Sequence, residues 1–298
     1  MKKVFVAVLL IFCSRVQAQT SDTARTHLYN DNGEPSQIGG HVYHVNFWGS
    51  LGITVGAELA ILSVQQLAKS FNPEISNAEF DLIQSPTGRS QLNPIDRWAL
   101  DIGRPSRNYT YIAVDYQTLC ALAPLALLFG ERYRKNWDDI ILLMAEVNAI
   151  DMFTFQFSPF GPFFQKRIRP EAYYAFTPAE REKAKVGSNR VSFYSGHTSA
   201  AAASLFLMAK IYCDYNTQIQ GWEKVGIYAL ASVPVLGMGY LRLIALRHFP
   251  SDIIVGGIVG GTIGIVVPEL HRIIPKNVSL GMYSSPASTG MNLTWNLK

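Results

Sequence analysis

Apolar residues run along this chain in stretches of helical length, separated by short polar breaks. Phe47 to Ala68 is apolar but for Glu58, and Tyr109 to Phe129 is apolar but for Asp115. Val225 to Leu241 and Ile253 to Val267 carry no charge at all. Trp137 to Phe157 is as long but holds Asp138, Asp139, Glu146 and Asp151, and Thr198 to Tyr212 is rich in alanine. Asn77 to Gln84 and Pro94 to Ile102 show the shorter amphipathic pattern. Neither a βαβ alternation nor an internal repeat breaks this order. The pattern predicts an all-α fold: a helical bundle of about six core helices joined by short amphipathic helices.

The two ends of the chain differ from this. Lys2 and Lys3, the apolar run Val4 to Phe12 and the small-residue site Val16-Gln17-Ala18 read as an export signal. Thr20 to Gly40 is polar and reads as a flexible lead-in. In the tail, Val278, Leu280 and Met282 alternate with polar residues. Met291, Leu293, Trp295 and Leu297 do so again after a Ser-Pro-Ala-Ser-Thr-Gly turn, which predicts a small β-hairpin-like tail. Two strands cannot close a barrel, so this tail is expected to pack on the helices. The expected organisation is a signal peptide at 1–18, the lead-in at 19–40, a helical domain at 41–275 and the tail at 276–298.

The charge balance changes one inference. The chain has 26 basic and 22 acidic residues, and three of the basic ones, Lys2, Lys3 and Arg15, sit in the signal. The remaining basic excess is too small to suggest a nucleic-acid partner. Outside the signal, Cys120 and Cys213 lie in apolar helical stretches and read as buried thiols. His41 and His44 share a helix-turn spacing but have no third ligand nearby, so no metal site is expected.

The longest charge-free runs are close to the lower limit for crossing a bilayer. The acids in Trp137 to Phe157 oppose a span, at roughly 2.5–3.5 kcal/mol for a charge at a helix centre. Gly256, Gly260 and Gly264, four residues apart, let another helix approach closely. That stripe and the all-round apolarity of Val225 to Leu241 favour membrane association.

Chemistry concentrates in three places. Arg169-Pro170 closes the Trp137 segment and presents Arg169 at a helix end, since proline cannot continue a helix. Ser195-Gly196-His197 opens the next helix, whose N-terminus offers free N–H groups. Arg242 ends an apolar run and is followed by His248, by Pro250 at a first helical position and by Asp252. A histidine followed by a carboxylate suits a nucleophile or base, a second histidine suits an acid, and paired arginines suit phosphate.

These pieces resemble the three-part signature of the type 2 phosphatidic acid phosphatase / vanadium haloperoxidase superfamily, Lys-x6-Arg-Pro, Pro-Ser-Gly-His and Ser-Arg-x5-His-x3-Asp. The resemblance covers roughly Phe47 to Ile274. It implies that His248 attacks phosphorus, that Asp252 holds and polarises its imidazole, and that His197 protonates the leaving oxygen and then helps activate water. It implies that Arg169 and Arg242 grip the phosphate, completed by the Ser195 hydroxyl and the backbone N–H groups of Ser195 and Gly196. It also implies that no metal or other cofactor is required. Three positions depart from the signature: Pro162 replaces the lysine, Tyr194 the proline and Leu241 the serine. Lys166, on Arg169's face if the segment is helical, or Arg190 is expected to replace the missing phosphate contact, with Arg167 a further candidate.

The expected function is a metal-independent phosphomonoesterase working through a phosphohistidine. Its expected substrate is a lipid-linked phosphate or diphosphate, in the periplasm or envelope membrane of a bacterium. A soluble periplasmic acid phosphatase acting on small phosphomonoesters is the first alternative. A vanadium haloperoxidase follows, then a non-catalytic envelope protein that kept the fold, a reading motivated by Pro162.

Overall fold

The computed structural model describes residues 42–103, 107–162, 164–272, 278–284 and 289–295. The expected signal and lead-in, and His41 with them, lie outside the described residues. The chain divides into two units, Val42–Arg272 and a smaller one made of residues 1–41 and 273–298. In the smaller unit, β1 (Val278–Ser284) pairs antiparallel with β2 (Thr289–Trp295), Val278 opposite Trp295. Residues 285–288, where the hairpin turn is expected, lie outside the described residues.

The larger unit is mostly helical. Its long helices are α1 (Phe47–Phe71), α2 (Arg107–Leu122), α3 (Trp137–Phe157), α4 (Gly196–Tyr215), α5 (Gly221–Ile244) and α6 (Pro250–Leu270). Local sequence sets several of their starts. Asn46 caps α1 by accepting from the Gly49 N–H at 2.8 Å. Ser195 caps α4, and Pro250 opens α6 where its missing N–H costs nothing.

The alanine-rich α4 occupies the centre of the bundle and packs against α6, α5, α2 and α3. Ala200 to Ala203 are buried, and small side chains there let neighbouring helices come close. The glycine stripe of α6 does the same from the other side. A Cβ on Gly256, Gly260 or Gly264 would stand 2.5, 1.9 or 2.3 Å from the carbonyl oxygens of Ser195, Ser199 and Ala203. Only glycine therefore permits this approach of α6 to α4. Cys120 and Cys213 are buried free thiols, as the sequence suggested.

Among the described residues, four helical stretches are long and apolar enough to cross a membrane: Tyr109–Phe129, Trp137–Phe157, Gly221–Ile244 and Pro250–Leu270. Leu59, Leu119, Leu230, Leu236 and Ile258 face outward with more than half their surface exposed. Apolar side chains so spread over a bundle's outer surface fit lipid better than water. Three of the four acids of α3, expected to oppose a span, turn inward instead, and the fourth, Asp138, is exposed in the helix's first turn. Asp151 accepts from Ser199 Oγ at 2.5 Å, and Glu146 bonds Ser50 and His271. Asp139 takes up the Val45 N–H at 3.4 Å, so beyond its first turn α3 carries no acid on its outer side.

Two further expectations need correction. The Trp137 helix ends at Phe157, twelve residues before Arg169, because Pro159, Gly161 and Pro162 stop it. Arg169 instead precedes a short 3₁₀ turn, Pro170–Tyr174. The chain from Gln165 to Arg169 is extended rather than helical, so Lys166 and Arg169 do not share a helix face.

The helix ends gather at two poles. At one, the His44 N–H donates to the His271 carbonyl at 2.8 Å, Tyr43 Oη to Asp214 at 2.8 Å, and Arg132 to the Tyr215 carbonyl at 2.6 Å. At the other, Lys166 meets Asn72 just after α1, and the Ser195 N–H meets the Asp252 carbonyl where α4 and α6 begin. The second pole holds the three signature segments.

Candidate active site

A cavity of about 820 Å³ opens at this second pole. Arg169, Gly196, His197 and His248 line it, beside Met152 and Phe155 of α3 and Gln117 of α2. Three segments far apart in sequence thus meet around one space. Pro162 also lines the cavity, so the position of the absent lysine faces the site but brings no charge.

Two guanidiniums are held there with hydrogen-bonding capacity left over. Arg242 is 3 % exposed, and its Nε and Nη1 have no partner. Arg169 Nη2 donates weakly to the Val191 carbonyl at 3.3 Å, and its Nε is buried and unpaired. Burial, then the neighbouring Arg247, pushes Arg169 down to about 10, which leaves it charged at neutral pH. Glu171, close to both arginines, pairs with Arg247 at 2.8 Å. Buried cations without a counter-ion are costly, so this arrangement favours an anion in the cavity.

The histidines feel the same field. Burial first, then Arg242, His248 and Arg169, lowers His197 to about 3. Burial, Arg169 and Arg242 put His248 well below the usual histidine range. Both rings are therefore neutral at pH 7. His248 Nδ1 lies 2.6 Å from the Ser192 carbonyl oxygen. A carbonyl only accepts, so the network assigns the proton to Nδ1 and leaves Nε2 with a free lone pair. That is the tautomer a nucleophile requires.

Asp252 does not make the direct contact expected of it. Its Oδ2 is 3.8 Å from His248 Nδ1 and accepts instead from Ser192 Oγ at 2.6 Å and the Phe249 N–H at 2.8 Å. Its Oδ1 takes Arg167 at 2.5 Å. Ser192 thus intervenes between carboxylate and imidazole. Ser195 also differs from expectation. Its N–H donates to the Asp252 carbonyl at 3.0 Å, and its hydroxyl caps α4 by accepting the Thr198 N–H at 3.4 Å and lies 2.8 Å from Thr198 Oγ1. Both groups are thus engaged within the protein, while Gly196, the first residue of α4, lines the cavity with its amide available to an anion.

The substitutes for the absent lysine separate clearly. Arg190 is committed to Glu79 at 2.5 Å and to the carbonyls of Pro73 and Glu74. Lys166 donates to Asn72 Oδ1 at 2.7 Å, and Asn72 lines the cavity. Arg190→Ala is expected to lower stability by about 1–2 kcal/mol and to leave turnover of a phosphomonoester within about twofold. Lys166→Ala is expected to raise KM about threefold or more, as loss of a charge at the rim would. Thermal melts and steady-state kinetics check both. A large fall in kcat for Arg190→Ala would return it to the site.

Sequence reasoning missed Ser192, Asp96 and Ser251. Serines and an aspartate near proline read as turn and cap residues, and nothing in their spacing points to the site.

A family model described as the PAP2 superfamily matches residues 140–274. The PAP2 match contains all three signature segments, from Arg169 to Asp252. Among curated proteins, phospholipid phosphatase 1 of Rattus norvegicus is 31% identical over 88 residues. This alignment covers 28% of the present chain and 30% of that relative, so the chain spans less than a third of the relative's length. No solved structure matches the chain.

Proposed function

We propose that this protein is a membrane-associated phosphatase that removes phosphate from a lipid-linked ester through a phosphohistidine on His248, without a metal. The carrying observation is the pair of buried arginines with unpaired N–H groups: Arg169 lines the cavity shared by His197 and His248, and Arg242 lies behind it, close enough to His197 to depress its proton affinity. The PAP2 match and the phospholipid phosphatase relative support the reading, and the apolar outer surface supports a lipid substrate.

In this reading Arg169, Arg242 and the Gly196 amide bind the non-bridging oxygens. His248 Nε2 attacks phosphorus, the ester oxygen leaves, and His197 supplies the proton it takes. Water then attacks the phosphohistidine, His197 accepts a proton, and inorganic phosphate departs with His248 restored. His197 is neutral in the empty cavity, so its acid role needs a proton that arrives with the substrate. A bound phosphate offsets the arginine charge that depresses His197, and its proton affinity rises.

The substrate test is a panel: phosphatidic acid, phosphatidylglycerol phosphate, an isoprenyl diphosphate and a water-soluble monoester, each assayed on the full chain in mixed micelles. Turnover of at least one lipid well above the soluble ester is expected. Activity on the soluble ester alone overturns the lipid reading and leaves the acid phosphatase. Pro162 at the cavity wall favours a second reading, a protein that binds phosphate without turnover. Binding with no activity on any member of the panel would select it. The proposed setting is the cell-envelope membrane, with the C-terminal strands forming a hairpin.

A further inference from the structure

The contacts behind His248 form an unbroken chain that reaches a helix outside the signature. Arg167 stands at its middle. Its Nη1 donates to Asp252 Oδ1 at 2.5 Å and to Ser251 Oγ at 2.8 Å, and its Nη2 to Asp96 Oδ2 at 2.6 Å. The guanidinium lies over the Phe249 ring, 4.3 Å from its centroid. Asp96, on the short helix Pro94–Ala99, is fully buried and also takes the Ser251 N–H at 2.9 Å and the Ser251 hydroxyl at 2.7 Å. On the far side, Asp252 takes Ser192 Oγ, and the Ser192 carbonyl takes His248 Nδ1.

We propose that Arg167 and Asp96 are positioning residues for the His248 nucleophile, acting through Asp252 and Ser192. Three facts support this assignment over a phosphate-binding role for Arg167. Both ends of its guanidinium are occupied by carboxylates, so no charge is left over for an anion. Arg169 and Arg242 each keep a buried guanidinium nitrogen without a partner, whereas Arg167 keeps none. Its pull on Asp252 Oδ1, with Ser192 and Phe249 holding Oδ2, fixes the carboxylate 3.8 Å from the imidazole. The carbonyl of Ser192 then becomes the ring's hydrogen-bond partner. A neutral carbonyl holds the Nδ1–H tautomer without drawing the proton away, so the ring is oriented while Nε2 stays free. Asp96 neutralises the other half of Arg167 and ties Ser251, at the start of α6, into the same frame.

This inference rests on the phosphatase reading for its kinetic consequence but not for its structural one. The test uses the full chain in detergent, as wild type, Arg167→Met, Arg167→Lys and Asp96→Asn. Phosphohistidine formation is followed by rapid quench under alkaline conditions, and the His248 tautomer by ¹⁵N NMR of histidine-labelled protein. Arg167→Met is expected to slow phosphorylation by about 10²-fold, the scale of a small misplacement of a reacting group, with KM little changed. Its Nδ1–H resonance should shift or broaden. Arg167→Lys should recover much of both signals, because one ammonium still reaches Asp252, and Asp96→Asn should fall between. A folded Arg167→Met with unchanged phosphorylation overturns the proposal. So does a raised KM with the rate preserved, which would make Arg167 a phosphate ligand. If the wild type forms no phosphohistidine, the phosphatase reading fails and the NMR signal alone decides. A resonance that neither Arg167→Met nor Asp96→Asn moves then overturns the positioning role.

Discussion

Replacing His248 with alanine is expected to abolish phosphoenzyme formation and to cut turnover by roughly 10⁴-fold or more, the scale seen when a nucleophile is removed from a working site. Alanine has no lone pair to offer phosphorus, and the second ring, His197, is assigned to proton transfer rather than to attack. His197 would keep its own place on α4. Phosphate affinity should survive, because Arg169 and Arg242 are untouched. His197→Ala should behave differently. With a leaving group that needs no proton, such as a nitrophenol, phosphorylation of His248 should persist while hydrolysis slows, so that the phosphohistidine accumulates. Phosphohistidine is acid-labile, so the quench must be alkaline. Retained labelling in His248→Ala would remove His248 from the nucleophile's role. Loss of labelling in His197→Ala even with the activated ester would remove the division of labour between the rings.

The second large effect is expected far from the chemistry, at Gly260. A Cβ there would stand 1.9 Å from the Ser199 carbonyl oxygen and 2.6 Å from its carbon, both backbone atoms that cannot rotate aside. Gly260→Leu must push α6 off α4, at a cost of about 3 kcal/mol or more, the upper range for overpacked interiors. Ser195 begins α4 and Asp252 begins α6, so the same displacement breaks the Ser195–Asp252 backbone bond and scatters the site. A thermal melt in detergent should show a large fall, with activity lost in parallel. Gly257→Ala is the control, since its Cβ would approach nothing nearer than 3.9 Å. It should be neutral or slightly stabilising, by up to about 1 kcal/mol, as glycine is the poorer helix former. Equal melting points for the two variants would show that the stripe is not what sets the helix spacing.

The helices were legible because their cause is local. Apolar runs of helical length, capping residues and a four-residue glycine spacing are all written in consecutive positions. The signature residues were legible for a related reason: Arg242, His248 and Asp252 keep a fixed spacing around one helix start. What lay beyond reading was the partner of each side chain. Asp252 follows His248 by one helical turn, which suggests a contact, yet Arg167 and Ser192 draw its two oxygens elsewhere. Arg190 is as basic as Arg169, but it is spent on Glu79 and two carbonyls brought near it by the fold. The acids of α3 weighed against a span because sequence does not show which way a helix face turns. The apolar run Trp137 to Phe157 matches the helix, but Arg169-Pro170 looks like its stop only in sequence, because Pro159, Gly161 and Pro162 end it twelve residues earlier.

Among the described residues, six long helices run between the two poles, an even number. Val42 and Arg272 consequently leave the bundle at one pole, tied by the bond from His44 to His271, and the arginines and histidines gather at the other. If the bundle stands upright in a bilayer, with the helices' two poles on opposite faces, this parity sets a pair of opposites: whichever compartment holds residue 42, the phosphate pocket opens toward the other one. A cleaved export signal ahead of residue 42 and a pocket facing outward therefore exclude each other in this architecture. A version that works on the outer leaflet must keep residue 42 in the cytoplasm, and a version that exports residue 42 must draw its substrate from the inner leaflet.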